Sequence, residues 1–175
     1  MKFELRKKNH GDPGSKGLPE DYPRPPEDQD LLFYIQRNHD SDTIVYKINR
    51  NPDGLFNSDL PMHAYWIKYS EGGKIVGLNH MQSKLAYGYD STRISKDLYS
   101  FRFVSYKDLT LYIAKDPATD QFRVNVKLNH KHLWLNNIYV YAVEFGVFPD
   151  VKFIELYGEH LSSGFPMYDK ITLAE

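Results

Sequence analysis

The stretch Phe122-Arg-Val-Asn-Val-Lys-Leu128 decides how the rest of the chain is read. Apolar and polar side chains alternate along it without a break. That period of two belongs to a strand with one face in a core and the other in water. Outward from it in both directions, segments of the same character recur at residues 31–36, 43–48, 63–69, 98–105, 109–114, 137–145, 151–157 and 170–173, rich in Tyr, Phe, Val and Ile. Such residues suit a pleated surface. Asn38-His-Asp-Ser-Asp42, Asn51-Pro-Asp-Gly54, Glu71-Gly-Gly73 and Asp116-Pro-Ala-Thr-Asp120 supply turn chemistry between them. One interval differs: Leu78, Met81 and Leu85 recur at helical spacing, and Gly88 stands where a C-cap glycine would. The spacing predicts an all-β architecture, an antiparallel sandwich or barrel of eight to nine strands, with one short helix lying across a sheet or plugging one end.

Length and composition fit that picture. At 175 residues the chain is one domain's worth and can bury a core without metal or disulfide staples. Twenty-two basic side chains against 23 acidic give a net charge of −1, which lacks the basic excess of a duplex nucleic-acid binder. Cysteine is absent, so disulfides, thiolate zinc sites, iron–sulfur centres and cysteine nucleophiles are excluded together. No apolar run reaches the length of a membrane span. The opening Met-Lys-Phe-Glu-Leu-Arg-Lys-Lys lacks the apolar stretch of a signal peptide, so a cytoplasmic place is expected for the chain as encoded, and export if a leader precedes it.

Residues 1–30 read as an extended or mobile N-terminal tail and 31–175 as a single β-rich domain. Between Asn9 and Asp30 the only large apolar side chains are Leu18 and Tyr22, while five of ten prolines fall there. Such a segment buries too little surface to offset its ordering entropy. Tyr22-Pro-Arg-Pro-Pro26 has polyproline II character, fit for an aromatic groove or for a lead-in strapped along the domain.

No catalytic or metal set is legible. His130 and His132 are two apart, a spacing that would put both on one strand face. Asn136 and Asn137 stand where a cupin-like Glu would, so Asn129-His-Lys131 is expected to be the tip of a hairpin with the histidines solvated. Asn49-x-Asn51-x-Asp53-Gly54 follows the first half of an EF-hand loop, but Leu60 occupies the bidentate Glu position and an Asx-rich turn accounts for the same residues. Phe101-Arg-Phe-Val-Ser-Tyr106 has the aromatic spacing of an RNA-recognition strand without its basic and small positions, so a core strand is expected. Ser162-Ser-Gly164 lacks the nucleophile-elbow glycine, and Gly72-Gly-Lys-Ile-Val-Gly77 matches no phosphate loop. No cofactor is expected. An enzyme would have to assemble its site from dispersed residues, with His63, His80, Glu155 and His160 as candidates.

The remaining distinctive set is aromatic and cationic. The chain is aromatic-rich, with fourteen Tyr, ten Phe and two Trp. Arg37 closes a strand, Tyr65 and Trp66 sit mid-strand facing opposite ways, and Lys84 and Tyr87 flank the helix end. Arg37, Tyr65, Lys84 and Tyr87 are therefore the candidate binding residues, through stacking and cation–π contacts. The alternative is that the tyrosines only edge the core with their hydroxyls in water.

Leu32-Phe-Tyr-Ile-Gln-Arg37, Thr43-Ile-Val-Tyr46, His63-Ala-Tyr-Trp-Ile67, Lys84-Leu-Ala-Tyr-Gly88, Phe101-Arg-Phe-Val-Ser-Tyr106 and Phe153-Ile-Glu-Leu-Tyr-Gly158 follow one another in this order. The set resembles a family of uncharacterised bacterial domains, most familiar from Bacteroidetes and classed only as a domain of unknown function. The similarity runs from about Pro19 to the C-terminus. The resemblance implies no activity, cofactor or site residue, though such members often look exported. The functional expectation is a non-enzymatic module binding a small molecule, glycan or protein, with no nucleic-acid partner. The alternatives are a hydrolase-type enzyme with dispersed His and Glu residues, and an assembly partner acting through the tail or an exposed strand edge.

Overall fold

The computed structural model describes residues 23–38, 40–145 and 148–173, and the backbone alone at 144, 145, 148 and 149. Among these residues the chain forms eleven strands and one short α-helix. They run β1 (Leu31–Arg37), β2 (Thr43–Ile48), β3 (Met62–Lys68), β4 (Lys74–Gly77), α1 (His80–Leu85), β5 (Tyr89–Ser95), β6 (Leu98–Phe103), β7 (Tyr106–Asp116), β8 (Gln121–Leu128), β9 (Lys131–Phe145), β10 (Phe148–His160) and β11 (Pro166–Thr172). The all-β architecture with one short helix is the one the sequence predicts. Each of the nine predicted strands falls within or across an observed one. The two unanticipated strands, β4 and β5, are solvent-facing edges with no apolar alternation to betray them.

The strand β9 organises everything else. Along one edge it pairs with β10 from Leu133 to Phe145, and β11 continues that hairpin outward. A strand has only two edges, so its remaining partners share the other one. Residues 131–135 pair antiparallel with β8, and Asn137 to Val140 pair parallel with β1. Two four-stranded wings, β1-β2-β3-β4 and β8-β7-β6-β5, thus leave the same edge at successive levels. They curl toward each other into a half-barrel. The sheet is therefore mixed where pure antiparallel pairing was expected, and it is curled without closing. The single parallel contact is possible because the whole of both wings separates β1 from β9, and parallel pairing needs a long connection.

The wings face each other across an aromatic core. Phe33 stacks on Tyr46 with ring centroids 4.5 Å apart and reaches Phe101 and Phe103 of the opposite wing at 6.1 Å each. Leu111, Ile113, Val124, Val126, Leu133 and Leu135 fill the space behind them and are fully buried. Each such side chain contributes about 1.5–3 kcal/mol of transfer free energy. Phe101 and Phe103 are thus core residues, and their strand presents no stacking platform for RNA. Trp66 joins this core, whereas Tyr65 points to the outer face of the first wing beside Tyr34, Val45 and Ile67.

That outer face is crossed by residues 23–28. Gln36 donates to the Pro23 carbonyl at 2.9 Å, Tyr69 donates to the Arg24 carbonyl at 3.2 Å, and Pro25 is buried. Lys47 pairs with Asp28 at 2.6 Å. Leu18, Tyr22 and the rest of residues 1–22 lie outside the described residues, as do the mobile-tail expectation for them and the start of the polyproline stretch. No helix among the described residues is long and apolar enough to cross a membrane.

The helix is shorter than the sequence suggests. Asn79 caps it through a reciprocal box: its side chain accepts from the Gln82 amide while the Gln82 side chain accepts from the Asn79 amide. Its C-cap is Ala86. Gly88 is needed for another reason, because a Cβ there would stand 1.8 Å from the Ser83 carbonyl oxygen.

Candidate functional site

Inward-facing residues alternate along the strands, and at one end of the half-barrel their side chains stop meeting. Phe33, Ile35 and Arg37 take the inward positions of β1, and the parallel register places Arg37 opposite Val140 of β9. Asn38 fixes this end of the strand. Its side chain donates to the Ala142 carbonyl at 2.6 Å and accepts from the Ala142 amide at 2.7 Å, extending the ladder by one amide that is not backbone. Across the gap, Phe103, Ser105 and Tyr106 close the β6–β7 turn above Leu109. The helix α1 roofs the space.

Between these elements lies a cavity of about 470 Å³. Ile138, Val140 and Ala142 of β9 form its floor with Val151 and Ile154 of β10, and Leu173 closes one side. Met81 and Leu85, one helical turn apart, line it from above while remaining 58% and 56% exposed. Large apolar side chains half open to water beside an apolar space are what a bound molecule would cover. Few polar groups face inward. Gln82 holds Trp66 through an indole hydrogen bond of 3.2 Å, and the Ser105 hydroxyl donates to the Ala86 carbonyl at 2.7 Å. Tyr46, whose phenol burial pushes well above its ordinary pKa, donates to the Tyr87 carbonyl at 2.6 Å and anchors the segment after the helix. Among the described lining residues no side chain is acidic, and Arg37 alone carries a positive charge.

Of the four candidate binding residues, the structure brings Arg37 and Tyr87 together on this cavity. Tyr65 lies on the opposite face of β3 beside His63. Lys84 is an exposed residue of α1 and is not among the residues that line the cavity. The alternation rule separates Tyr65 from Trp66 but does not say which of them the core takes. Met81, Leu85, Val140 and Ile154 were missed because they read as ordinary core residues. The available signal was Arg37 itself, a charge at a position whose parity belongs to the core.

The other constellations have structural occupations. His130 lies in the left-handed region at the tip of the β8–β9 hairpin, and His132 bonds Asn125 at 3.0 Å from the following strand. Burial and the nearby Lys127 and His160 charges hold the His132 imidazole below its ordinary pKa. In the Asn-rich loop, Asn49 donates to the Leu60 carbonyl, Asp53 accepts from the Leu55 amide, and Arg50 pairs with Asp30 at 3.0 Å. Gly54 at φ +86° makes that turn. No cluster of three or more metal-binding side chains occurs among the described residues. The four residues offered for an enzyme are dispersed. His63 sits on β3, His80 opens α1, Glu155 accepts from the Tyr168 hydroxyl at 2.6 Å, and His160 faces Ser162 at 3.2 Å. None of them lines the cavity.

The chain belongs to the family described as Domain of unknown function (DUF4833), which matches residues 33–170. The match spans the sheet from β1 into β11 and includes every strand that borders the cavity. No curated protein and no solved structure matches the chain.

Proposed function

We propose that this domain is a binding module that takes a small apolar molecule into the cavity beneath α1. One observation carries the reading: a cavity of about 470 Å³ whose lining is mostly apolar. Its size lies within the range of about 300–1,000 Å³ typical of small-molecule sites. Its walls suit burial of hydrocarbon, which gains about 25 cal/mol per Å² removed from water. The roof is a two-turn helix held by a capping box, a tyrosine and an indole bond, with Met81 and Leu85 at the opening.

The test is native mass spectrometry of gently purified protein against its denatured mass, followed by titration with an environment-sensitive apolar fluorophore. The fluorophore should bind the wild-type chain at one site. Leu85→Asp places a charge at the opening on a side chain already 56% exposed, so the fold should survive while affinity drops at least tenfold. Unchanged affinity in Leu85→Asp, or no saturable binding to the wild type, would overturn the reading.

A further inference from the structure

We infer that the occupant of the cavity is an uncharged acyl compound, a single hydrocarbon tail bearing an ester or ketone, whose carbonyl oxygen accepts a hydrogen bond from the Gln82 side-chain amide. This rests on the cavity-binding reading above and names its ligand class. Three observations carry it. The first is orientation. Gln82 lines the cavity, and its side-chain oxygen accepts from the Trp66 indole at 3.2 Å and from the Asn79 backbone amide at 2.9 Å. An indole N–H and a backbone N–H can only donate, so these two bonds identify which end of the Gln82 amide is oxygen. Its NH2 group is left with two donors and no acceptor among the described residues. The second is the kind of partner that remains wanted. Tyr46 gives its proton to the Tyr87 carbonyl, and Ser105 gives its own to the Ala86 carbonyl. The phenols of Tyr87 and Tyr106 donate and accept alike, so they do not choose between ligand groups. Gln82, with both oxygen lone pairs taken, offers donors only. An ester or ketone answers it without bringing a donor that needs a partner, as an alcohol would, and apolar walls disfavour a charged head. The third is placement. Gln82 lies on α1 between Met81 and Leu85, the half-exposed pair at the opening, so a carbonyl held there leaves its tail to run inward over Val140 and Ile154. At roughly 30 Å³ per water-sized group, the 470 Å³ holds one tail on the order of a dozen such groups but not the two tails of a bilayer lipid.

The experiment compares decan-2-one, isotope-labelled at its carbonyl, with decane, both below their solubility limits, as displacers of the apolar fluorophore from the full chain. Both should displace it. In the infrared, the carbonyl stretch of the bound ketone should lie below its position in hexane, the sign of a hydrogen bond. Gln82→Glu keeps an oxygen for Trp66 and Asn79, so the cap and the indole bond survive, and it sets an acceptor where the NH2 group stood. It should weaken decan-2-one about tenfold more than it weakens decane, and return the carbonyl band to its hexane position. Gln82→Met removes the donor without adding a charge and should act in the same direction, which retains a test if the glutamate variant folds poorly. A wild-type band at the hexane position, a lowered band that survives in Gln82→Glu, or an equal loss of both ligands there would overturn the acyl assignment and leave the cavity reading standing. Displacement by decane alone would do the same. Failure of both ligands to displace the fluorophore would overturn both.

Discussion

The hydroxyl of Tyr89 serves both backbone groups of Met62, accepting from its amide at 2.8 Å and donating to its carbonyl at 2.5 Å. Tyr89 opens the outermost strand of one wing and Met62 opens the third strand of the other, so a single phenol ties the two wings together where no ladder joins them. Because Met62 is buried, both of its backbone groups would otherwise lack partners. Tyr89→Phe should therefore destabilise the protein by about 1–3 kcal/mol, a melting point lower by several degrees, measurable by thermal denaturation. Burial also pushes the Tyr89 phenol up to about 12. The raised value means the folded state holds its proton longer than the unfolded chain does. The stability this contributes is complete below pH 10 and is lost as the pH climbs toward 12. Tyr46, raised in the same direction by burial, should leave part of that alkaline loss in Tyr89→Phe.

Two glycines separate stability from cavity shape. A Cβ at Gly158 would stand 1.9 Å from the Trp134 carbonyl oxygen, inside the ladder between β10 and the strand β9 that carries both wings on its other edge. Gly158→Ala should cost about 3 kcal/mol or more and lower soluble yield, because neither strand can move aside. At Gly88 the nearest atoms are those of the Ser83 backbone in α1. Gly88→Ala should shift the helix, costing about 1–3 kcal/mol while changing apolar probe affinity more than the buried-core glycine variant does per unit of stability lost.

Asn38 offers a charge test of the parallel junction. In Asn38→Asp a carboxylate oxygen would face the Ala142 carbonyl now served by the amide at 2.6 Å. The charged form would be disfavoured and the carboxyl pKa raised in the folded state, so the stability deficit should be largest at neutral pH. It should shrink on acidification, when the protonated acid can donate again. Denaturant melts at pH 7 and pH 4 would show a smaller gap to wild type at the lower pH. An equal gap would mean that the Asn38 contact is dispensable.

Asp42 gives the opposite sign. Burial alone would raise its pKa, but the Ser70 amide at 3.0 Å, the Ser70 hydroxyl at 2.8 Å and the Lys68 ammonium at 3.6 Å together bring it below the usual carboxylate value. A carboxyl whose folded value is lowered contributes stability that is complete above its unfolded value. That stability is lost as the pH falls through the folded one, here below about pH 4. Asp42→Asn should cost about 1–3 kcal/mol at pH 7 and flatten this acid limb.

How much of this was legible in the chain follows from which residues carry a periodic signal. β8 was legible because Val124 and Val126 alternate with polar residues that face water. Arg37 and Tyr87, which line the cavity, stand out in the sequence because a charge or an aromatic at a strand or helix end is locally conspicuous, but nothing in the sequence points to a cavity. β4 and β5 were not legible, since edge strands bury too little to pattern their sequences. The parallel contact between Tyr34 and Asn137 could not be read either, because register between segments about a hundred residues apart leaves no mark in either one. A cavity poses the same difficulty. It is a gap among residues each of which looks like core, and Ile154 bordering empty space has the same neighbours in sequence as Ile154 bordering Leu.

The two-neighbour edge of β9 also has a temporal side. During synthesis β1 emerges early, and its second partner is made about a hundred residues later. At translation rates of roughly 5–20 residues per second, that edge waits on the order of 5–20 seconds beside a completed first wing. Over that interval it presents unpaired amides and carbonyls flanked by Phe33, Tyr34 and Ile35, a template for pairing with any other nascent chain. The architecture thus places the burden of safe production on β9 and the strands after it, and truncations that stop short of residue 137 leave an adhesive fragment instead of a smaller domain.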